Sequence, residues 1–293
     1  YQIDKGVFFM NEKILKTKSN GFAALFFIVL MIIVAIASFI SSIAFLKNEA
    51  LAVVGVLFSI FLFIVSIISF GGLKVVKPQE AIVLTLFGDY TGTIKEPGFY
   101  FVNPFSVAVN PASKTKLGQS GDVDRQNTSI SINNSGIEAN LDAFKKHISL
   151  KIMTLNNSRQ KINDCLGNPV EIGIAVTWKV VDTAKAVFNV DNYKEYLSLQ
   201  CDSALRNIVR IYPYDVAPNV DTTGDGIADE GSLRGSSEVV AKRIRDEIQA
   251  RVENAGLEII EARITYLAYA PEIAAVMLQR QQASAIIDAR MMI

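Results

Sequence analysis

The sequence predicts an α+β fold that follows a two-helix transmembrane hairpin. Two apolar runs, residues 22–46 and 50–70, each supply the roughly 20 residues that a helix needs to cross the hydrocarbon core of a bilayer. After residue 72 the chain alternates apolar and polar side chains as strands do, and later stretches repeat at helical spacing. We therefore expect a basic segment over residues 1–20, a membrane anchor over residues 21–71 and a mixed domain behind it.

The two apolar runs are expected to form a hairpin, because only Lys47, Asn48 and Glu49 connect them. A signal peptide is the alternative for the first run, but the run exceeds the roughly 7 to 15 apolar residues of a signal sequence, and a second run follows. Neither span holds an ionisable side chain, which argues against a transport pathway or a proton relay. Positive charge outside the spans places the N-terminus and the following domain in the cytosol. The lysines at these outer ends are Lys5, Lys13, Lys16, Lys18, Lys74 and Lys77.

Residues 72–181 predict a β-rich first subdomain. Residues 75–87 are rich in β-branched and large apolar side chains, are interrupted by Pro78 and end at the turn Gly88-Asp89. Strict alternation predicts further half-buried strands at residues 130–132, 148–152 and 172–180.

Residues 182–270 predict an α+β second subdomain. An apolar stripe over residues 193–208 predicts an amphipathic helix, and this stripe includes Cys201 as a small buried residue. A second helix over residues 237–255 ends at a glycine, and a strand over residues 257–269 follows it.

The segment 271–293 predicts the start of a long oligomerisation helix. Pro271 suits the first turn of a helix, and the helical pattern still runs at Ile293, so we expect the chain to continue. The apolar residues of this helix occupy more than one face, and part of its surface must therefore meet another chain. The residues that we expect in this contact are Ile273, Met277, Ile286 and Ile287.

The residues that carry chemistry are too few for a common active site. His147 is the only histidine, and the two cysteines, Cys165 and Cys201, are too isolated for a disulfide framework or a CxxC site. The sequence therefore lacks the residues for a Ser-His-Asp or Cys-His catalytic site or for a zinc site with several histidines, unless unusual residues substitute for them. Walker A, GxGxxG, GxSxG and HExxH motifs do not occur. We expect no enzyme and no cofactor, and the balance of 29 basic and 29 acidic residues disfavours nucleic acid as a partner.

One acidic stretch has part of the pattern of a calcium loop. Asp221, Asp225 and Asp229 stand at loop positions that supply oxygen ligands, with glycine at the sixth position. Thr223 is a weak ligand at the third position, and Ser232 replaces the glutamate wanted at the twelfth. A solvated acidic loop is therefore the favoured interpretation, and a calcium site is the alternative.

An aromatic cluster follows Pro97-Gly98, a short distance along the chain from the membrane anchor. One face of this strand belongs in a sheet core, which means either Tyr100 or the pair Phe99 and Phe101. The other face is free to rest among lipid headgroups, where aromatic rings are favoured. The candidate membrane-interface residues are Phe99, Tyr100, Phe101 and Phe105.

Several motifs in a fixed order resemble the SPFH or band-7 family, which includes stomatins, prohibitins, flotillins and their bacterial relatives. The likeness covers residues 73–293, and several ordered motifs are more specific than any one of them. Residues 118–146 and 219–233 depart from the family pattern and are interpreted as insertions. The motifs are residues 76–83, Phe87-Gly88, 96–105, 167–172 with 178–180, and 266–273 with 281–283.

The resemblance implies an SPFH domain of two α+β subdomains, large homo-oligomeric rings or cages, and no catalytic residues. For a bacterial-type member it implies a multi-pass protein of the cell inner membrane. The implied function is a non-enzymatic scaffold that organises membrane microdomains, with further copies of itself and membrane lipids as partners. The alternative is a specific regulator or adaptor that sequesters a membrane-bound AAA protease or a transporter, and a membrane-anchored hydrolase is a third interpretation.

Overall fold

The computed structural model confirms the α+β class, since two long apolar helices lead into a domain of mixed strands and helices. Its contacts divide the chain into two compact units, Tyr1–Ser113 with Asn140–Leu150 and Lys114–Ala139 with Lys151–Ile293. The residues that the structure describes are 2–4, 7–9, 11–15, 20–44, 49–117, 123–125, 146–157, 159–215 and 231–291.

The secondary-structure elements are numbered in chain order. The first part contains β1 (Gln2–Asp4), β2 (Val7–Phe9), α1 (Gly21–Ala44), α2 (Glu49–Phe70), β3 (Leu73–Val76), β4 (Glu80–Leu86), β5 (Asp89–Ile94), β6 (Gly98–Phe101) and β7 (Val107–Ala108). The middle part contains β8 (Thr115–Leu117), β9 (Val123–Arg125), β10 (Ile148–Ser149), β11 (Met153–Asn156), β12 (Gln160–Asn163) and β13 (Pro169–Val180). The last part contains α3 (Thr183–Phe188), α4 (Tyr193–Val209), α5 (Ser237–Val252), β14 (Leu257–Tyr269) and α6 (Pro271–Met291).

Helices α1 and α2 are each long and apolar enough to cross a bilayer, as their hydropathy predicts. The buried residues of α1, which are Gly21, Ile28, Ala35 and Ser42, recur every seven positions, and most of them are small. Small side chains at this spacing let two helix backbones approach closely along one seam. Ser59 of α2 lies on that seam, with its hydroxyl oxygen 3.1 Å from that of Ser38. The remaining surface of both helices consists largely of exposed Phe, Ile, Leu and Val.

In the first unit, β4 is the centre of a small antiparallel sheet. It pairs with β5 through a two-residue turn, with β10 at Ala81 and Glu80, and with β7 near its end. Strands β3 and β6 form a second antiparallel pair. The apolar core of this unit is formed by Val76, Ile82, Leu84, Ile94 and Tyr100.

The segment before α1 is tied to the sheet that follows α2. Ile14 forms a parallel bridge with Thr93 of β5, where the Leu15 amide donates to the Thr93 carbonyl at 2.9 Å and the Thr93 amide donates to the Lys13 carbonyl at 2.8 Å. A Cβ added to Gly92 would lie 2.6 Å from Leu15 Cγ, so glycine makes room for that side chain. Both outer ends of the helical hairpin therefore lie at the same end of the helix pair.

In the second unit, β13 is the middle strand of an antiparallel sheet. It pairs with β14 on one side, while β11 and β12 follow one another along its other side. The fully buried side chains of this unit include Trp178 of β13, Leu197 and Leu205 of α4, and Ile244 of α5. Cys201 is buried among them, as the stripe on α4 predicts.

The turn into β14 requires a glycine. Gly256 has φ of +67°, and its carbonyl accepts hydrogen bonds from the Val181 amide at 3.0 Å and the Asp182 amide at 3.1 Å. A Cβ at Gly256 would overlap the carbonyl oxygen of Asp182. The left-handed conformation and this close backbone approach explain why α5 and its terminal 3-10 turn end here.

Two expectations differ from the structure. The stretch 148–152 is not one strand: β10 ends at Ser149 in the first unit, and β11 starts at Met153 in the second. The expected boundary between residues 181 and 182 also differs, because β13 pairs with β14 along its length and therefore belongs with it. The expected strand at residues 130–132 lies outside the described residues.

Candidate functional site

One end of the first unit is built where β6 meets the two apolar helices. The rings of Phe22 in α1 and Phe99 in β6 make an edge contact with centroids 5.2 Å apart, and a Cβ on Gly21 would lie 2.6 Å from the Phe99 ring. The Asn20 side-chain oxygen accepts a hydrogen bond from the Phe101 amide at 3.1 Å. Beyond α2, the Gly72 carbonyl accepts one from the Val102 amide at 2.9 Å. Strand β6 is thus held against the ends of both apolar helices.

Four aromatic residues were predicted at the membrane interface, and for Tyr100 this prediction is wrong. Tyr100 is only 2% exposed and belongs to the core of the first unit, because alternate residues of β6 point to opposite faces. Its hydroxyl donates to the Glu96 carbonyl at 3.1 Å, and burial, with the nearby charge of Glu96, raises the pKa of Tyr100. Phe99 and Phe101 are half-buried, while Phe105 is exposed. Whether Phe99, Phe101 and Phe105 contact lipid remains a prediction.

Phe87 is an aromatic residue of this region that the sequence analysis missed. It occupies the first position of the two-residue turn between β4 and β5, with φ of 51°, and Gly88 follows with φ of 97°. A bulky residue in this conformation is unusual, because such turns favour Asn, Asp or Gly. The side chain is 88% exposed, and its ring stacks on Phe105 with centroids 6.2 Å apart. A phenylalanine directly before Gly88-Asp89 is the signal that could have indicated an exposed aromatic tip.

Helix α6 leaves the second unit with apolar side chains on several faces. Ile273 and Met277 are half-buried near its start, whereas Ile286 and Ile287 are 57% and 56% exposed. Val276 is exposed to a similar degree. The four predicted contact residues therefore divide into a pair at the base of the helix and a pair that is open along its length.

Three contacts lie at the base of α6. The rings of Tyr214 and Tyr269 lie 3.9 Å apart, and Lys161 Nζ lies 2.5 Å from a carboxylate oxygen of Glu272. Burial raises the pKa of Tyr269 to about 12, and the charges of Asp215 and Asp164 add to this shift. The amide of Ala270 also donates to the carbonyl of Pro169 at 2.9 Å, which links the junction to β13.

The candidate nucleophiles are not activated. Burial raises the pKa of the Cys201 thiol, and the neighbouring Asp202 acts in the same direction. Burial and Asp164 also raise the pKa of Cys165, which lies exposed in the turn between β12 and β13. A raised thiol pKa lowers the fraction of the reactive thiolate. His147 lies just before β10, and its Nδ1 pairs with Glu80 at 2.9 Å.

The described residues contain no group of three or more His, Cys, Asp or Glu side chains that could hold a metal ion. The acidic loop with Asp221, Asp225 and Asp229 lies outside the described residues, so the weak calcium candidates there remain a prediction.

Most of the chain, from β3 to the end of α6, matches the sequence model of a known protein family. Comparison with curated proteins gave no match. The model of the SPFH domain / Band 7 family matches residues 74–292, which is well over half of the chain. This range contains the ordered motifs from Val76 to Ala283 that the sequence analysis identified, so that resemblance is confirmed. The chain therefore belongs to the SPFH domain / Band 7 family.

Proposed function

We propose that the chain is a non-enzymatic scaffold that assembles into large homo-oligomeric rings or cages and organises membrane microdomains. Members of its family are generally membrane-associated scaffolds without enzymatic activity. Two apolar helices near the N-terminus indicate association with a membrane. The pKa values of both cysteines are raised, which agrees with a role other than covalent catalysis.

The observation that carries the assembly proposal is the open apolar surface of α6. Ile286 and Ile287 are more than half exposed, as are Val276 and Leu278. Packing one face of a helix cannot bury apolar side chains that point in several directions. Contact with a second copy of the chain is therefore the arrangement that removes them from water. Anchoring in a membrane confines the copies to a plane, and repeated head-to-tail contacts form a ring when the rotation between successive copies closes.

In this proposal the chain contacts the membrane through two transmembrane helices and through aromatic side chains in the headgroup region. Helices α1 and α2 cross the inner membrane as a hairpin, and the lysines outside them keep the N-terminus and the SPFH domain in the cytosol. Phe99, Phe101 and Phe105 then lie in or near the headgroup region, and Phe87 joins them because its ring stacks on Phe105. The bridge between Ile14 and Thr93 supports the placement of both outer ends of the hairpin on the same side of the membrane.

Light scattering after size exclusion of the detergent-solubilised, full-length protein tests the assembly. We expect a large oligomer from the wild-type chain and dispersal in Ile286→Asp, because an unpartnered buried carboxylate is costly at every repeated contact. Ala274→Asp, at an exposed position of the same helix about 120° around its axis from Ile286, is the matched control and should leave the size unchanged.

A wild-type chain that runs as a monomer or dimer would refute the scaffold proposal. A stoichiometric membrane protease or transporter in the same preparation would then support the regulator alternative. Equal dispersal in both variants would show that added charge, rather than the Ile286 contact, weakens the assembly.

A further inference from the structure

The outer edge of β14 is open over a short stretch. One side of β14 pairs with β13, and no other described strand pairs with its opposite side. At the start of the strand, the Gln249 side chain covers this edge: its amide nitrogen donates to the Leu257 carbonyl at 3.2 Å, and its oxygen accepts from the Ile259 amide at 2.7 Å. The register of β14 shifts at Ile260 and at Thr265. The stretch Glu261–Ile264 lies between these two shifts and is the regular part of the edge that faces α5.

Helix α5 runs beside this open edge and forms a groove with it. The buried face of α5, which carries Val240, Ile244 and Ile248, packs inward. The neighbouring face, from Ser237 to Arg245, forms one wall of the groove, and Ile260–Ile264 of β14 forms the other. The groove has a volume of about 610 Å³. A helix beside a free strand edge is the arrangement in which proteins accept an extended peptide as an added strand.

Two of the three basic side chains that line the groove are paired with a carboxylate. Arg263 Nε lies 2.5 Å from Glu261, and Arg245 lies 3.0 Å from Asp246, which is next to it on α5. Glu238 and Lys242 carry the other two charges of the lining, one of each sign. Recognition in this groove therefore depends on main-chain hydrogen bonds and on apolar contacts. Ala241 faces the groove and, being small, leaves space for a side chain opposite the strand edge.

We propose that this groove binds a short extended segment of a partner protein, which joins β14 as an additional strand. The segment is uncharged, spans about four or five residues at roughly 3.3 Å per residue, and places a small or apolar side chain against Ala241. Its amide groups that face β14 must be free to donate, which excludes proline at those positions.

A second copy of the chain fits this groove less well than a short segment. The opposite edge of the same sheet, formed by β11 and β12, runs from Met153 to Asn163 and would extend past the open part of β14 into Gln249 and the shift at Thr265. An edge contact of about five residues is also far below the roughly 1,000 Å² that a stable interface between folded copies needs.

The test uses the full chain in lipid nanodiscs and a phage-displayed library of random eight-residue peptides. The consensus peptide is then synthesised, and its affinity is measured by fluorescence polarisation. Ala241→Phe fills the groove and should weaken binding at least about tenfold, which is the loss expected when one well-packed side chain is excluded. Ala250→Phe, on the exposed face of the same helix, is the matched control and should leave the affinity unchanged.

A second measurement uses the peptide and does not depend on any variant. Two N-methylated versions of the peptide are made, each modified at alternate positions and offset from the other by one residue. One set of methyl groups removes the amide donors that face β14, and the other set removes the donors that face solvent. We expect a large loss of affinity for one set and none for the other. If Ala241→Phe does not fold, Ala241→Leu replaces it, with folding judged from the fluorescence of Trp178.

Failure to enrich any peptide would overturn the proposal, as would a consensus peptide that binds Ala241→Phe and Ala250→Phe alike. Equal effects of the two sets of methylated positions would exclude strand addition. Light scattering on the same samples reports the oligomeric state separately, so loss of the groove and loss of the scaffold assembly give different results.

Discussion

Replacement of Gly256 by alanine should destabilise the second unit through two separable effects. The first is conformational, because φ of +67° is a left-handed conformation that costs an L-residue about 1–2 kcal/mol. The second is steric. The added Cβ would overlap the Asp182 carbonyl oxygen and lie 3.0 Å from the Cβ atoms of Asp182 and Lys185. Overpacking of this kind typically costs about 1–3 kcal/mol.

Gly167→Ala is the matched control for the conformational effect. Gly167 has φ of +83°, yet an added Cβ there would meet no atom within 4 Å. Gly167→Ala should therefore lower the free energy of unfolding by about 1–2 kcal/mol, and Gly256→Ala by about 2–5 kcal/mol. Alanine restricts the unfolded chain equally in both variants, so that effect cancels in their difference.

Urea unfolding followed by tryptophan fluorescence measures the difference. Trp178 is the only tryptophan in the chain and is fully buried in the second unit, so its emission reports the unfolding of that unit. The steric argument would be refuted if Gly256→Ala cost no more than Gly167→Ala. A Gly256→Ala structure in which the backbone at Asp182 has not moved would refute it as well.

Three further predictions concern topology, metal binding and pH. Single cysteines introduced into a cysteine-free chain should react with an impermeant thiol reagent on intact cells at Asn48, whereas labelling at Ser237 would contradict a cytosolic SPFH domain. Calorimetry should show no calcium binding tighter than about the millimolar range, and a micromolar affinity that disappears in Asp225→Ala would reverse this expectation. Because the pKa of Tyr269 is raised from 10.0 to about 12, the folded protein holds this proton to higher pH than the unfolded chain. The stabilisation is complete below pH 10.0 and is lost as the pH rises towards 12, and Tyr269→Phe should remove this part of the pH dependence of the urea midpoint.

The helices of the anchor and the central strands could be predicted because each has a pattern that needs no tertiary information. The apolar runs over residues 22–46 and 50–70 correspond to α1 and α2 within two residues at each end. Alternation over residues 172–180 lies within β13, where one face meets the core. Burial of Cys201 follows from the same kind of reasoning, since it repeats at helical spacing with other apolar residues.

The remaining features depend on contacts between residues that are distant in sequence. The pairing of Ile14 with Thr93 joins segments separated by the whole helical hairpin, and no local pattern indicates it. The open edge of β14 could not be predicted either, because alternation shows which side chains share a face of a strand but not which strands pair with it. Tyr100 shows the same limit: the sequence left open which face of β6 is buried, and packing against Val76 and Leu84 decides it.

The junction at the base of α6 acts as the pivot of a lever. At about 1.5 Å per residue, the 21 residues of this helix extend about 31 Å, so a tilt of about 10° at Pro271 moves the far end by about 5 Å. The ion pair between Lys161 and Glu272 is exposed and contributes little to rigidity, which leaves the contact between Tyr214 and Tyr269 as the firmer constraint. In any assembly built through α6, small changes in the packing of these two rings would therefore alter its curvature far more than equal changes further along the helix.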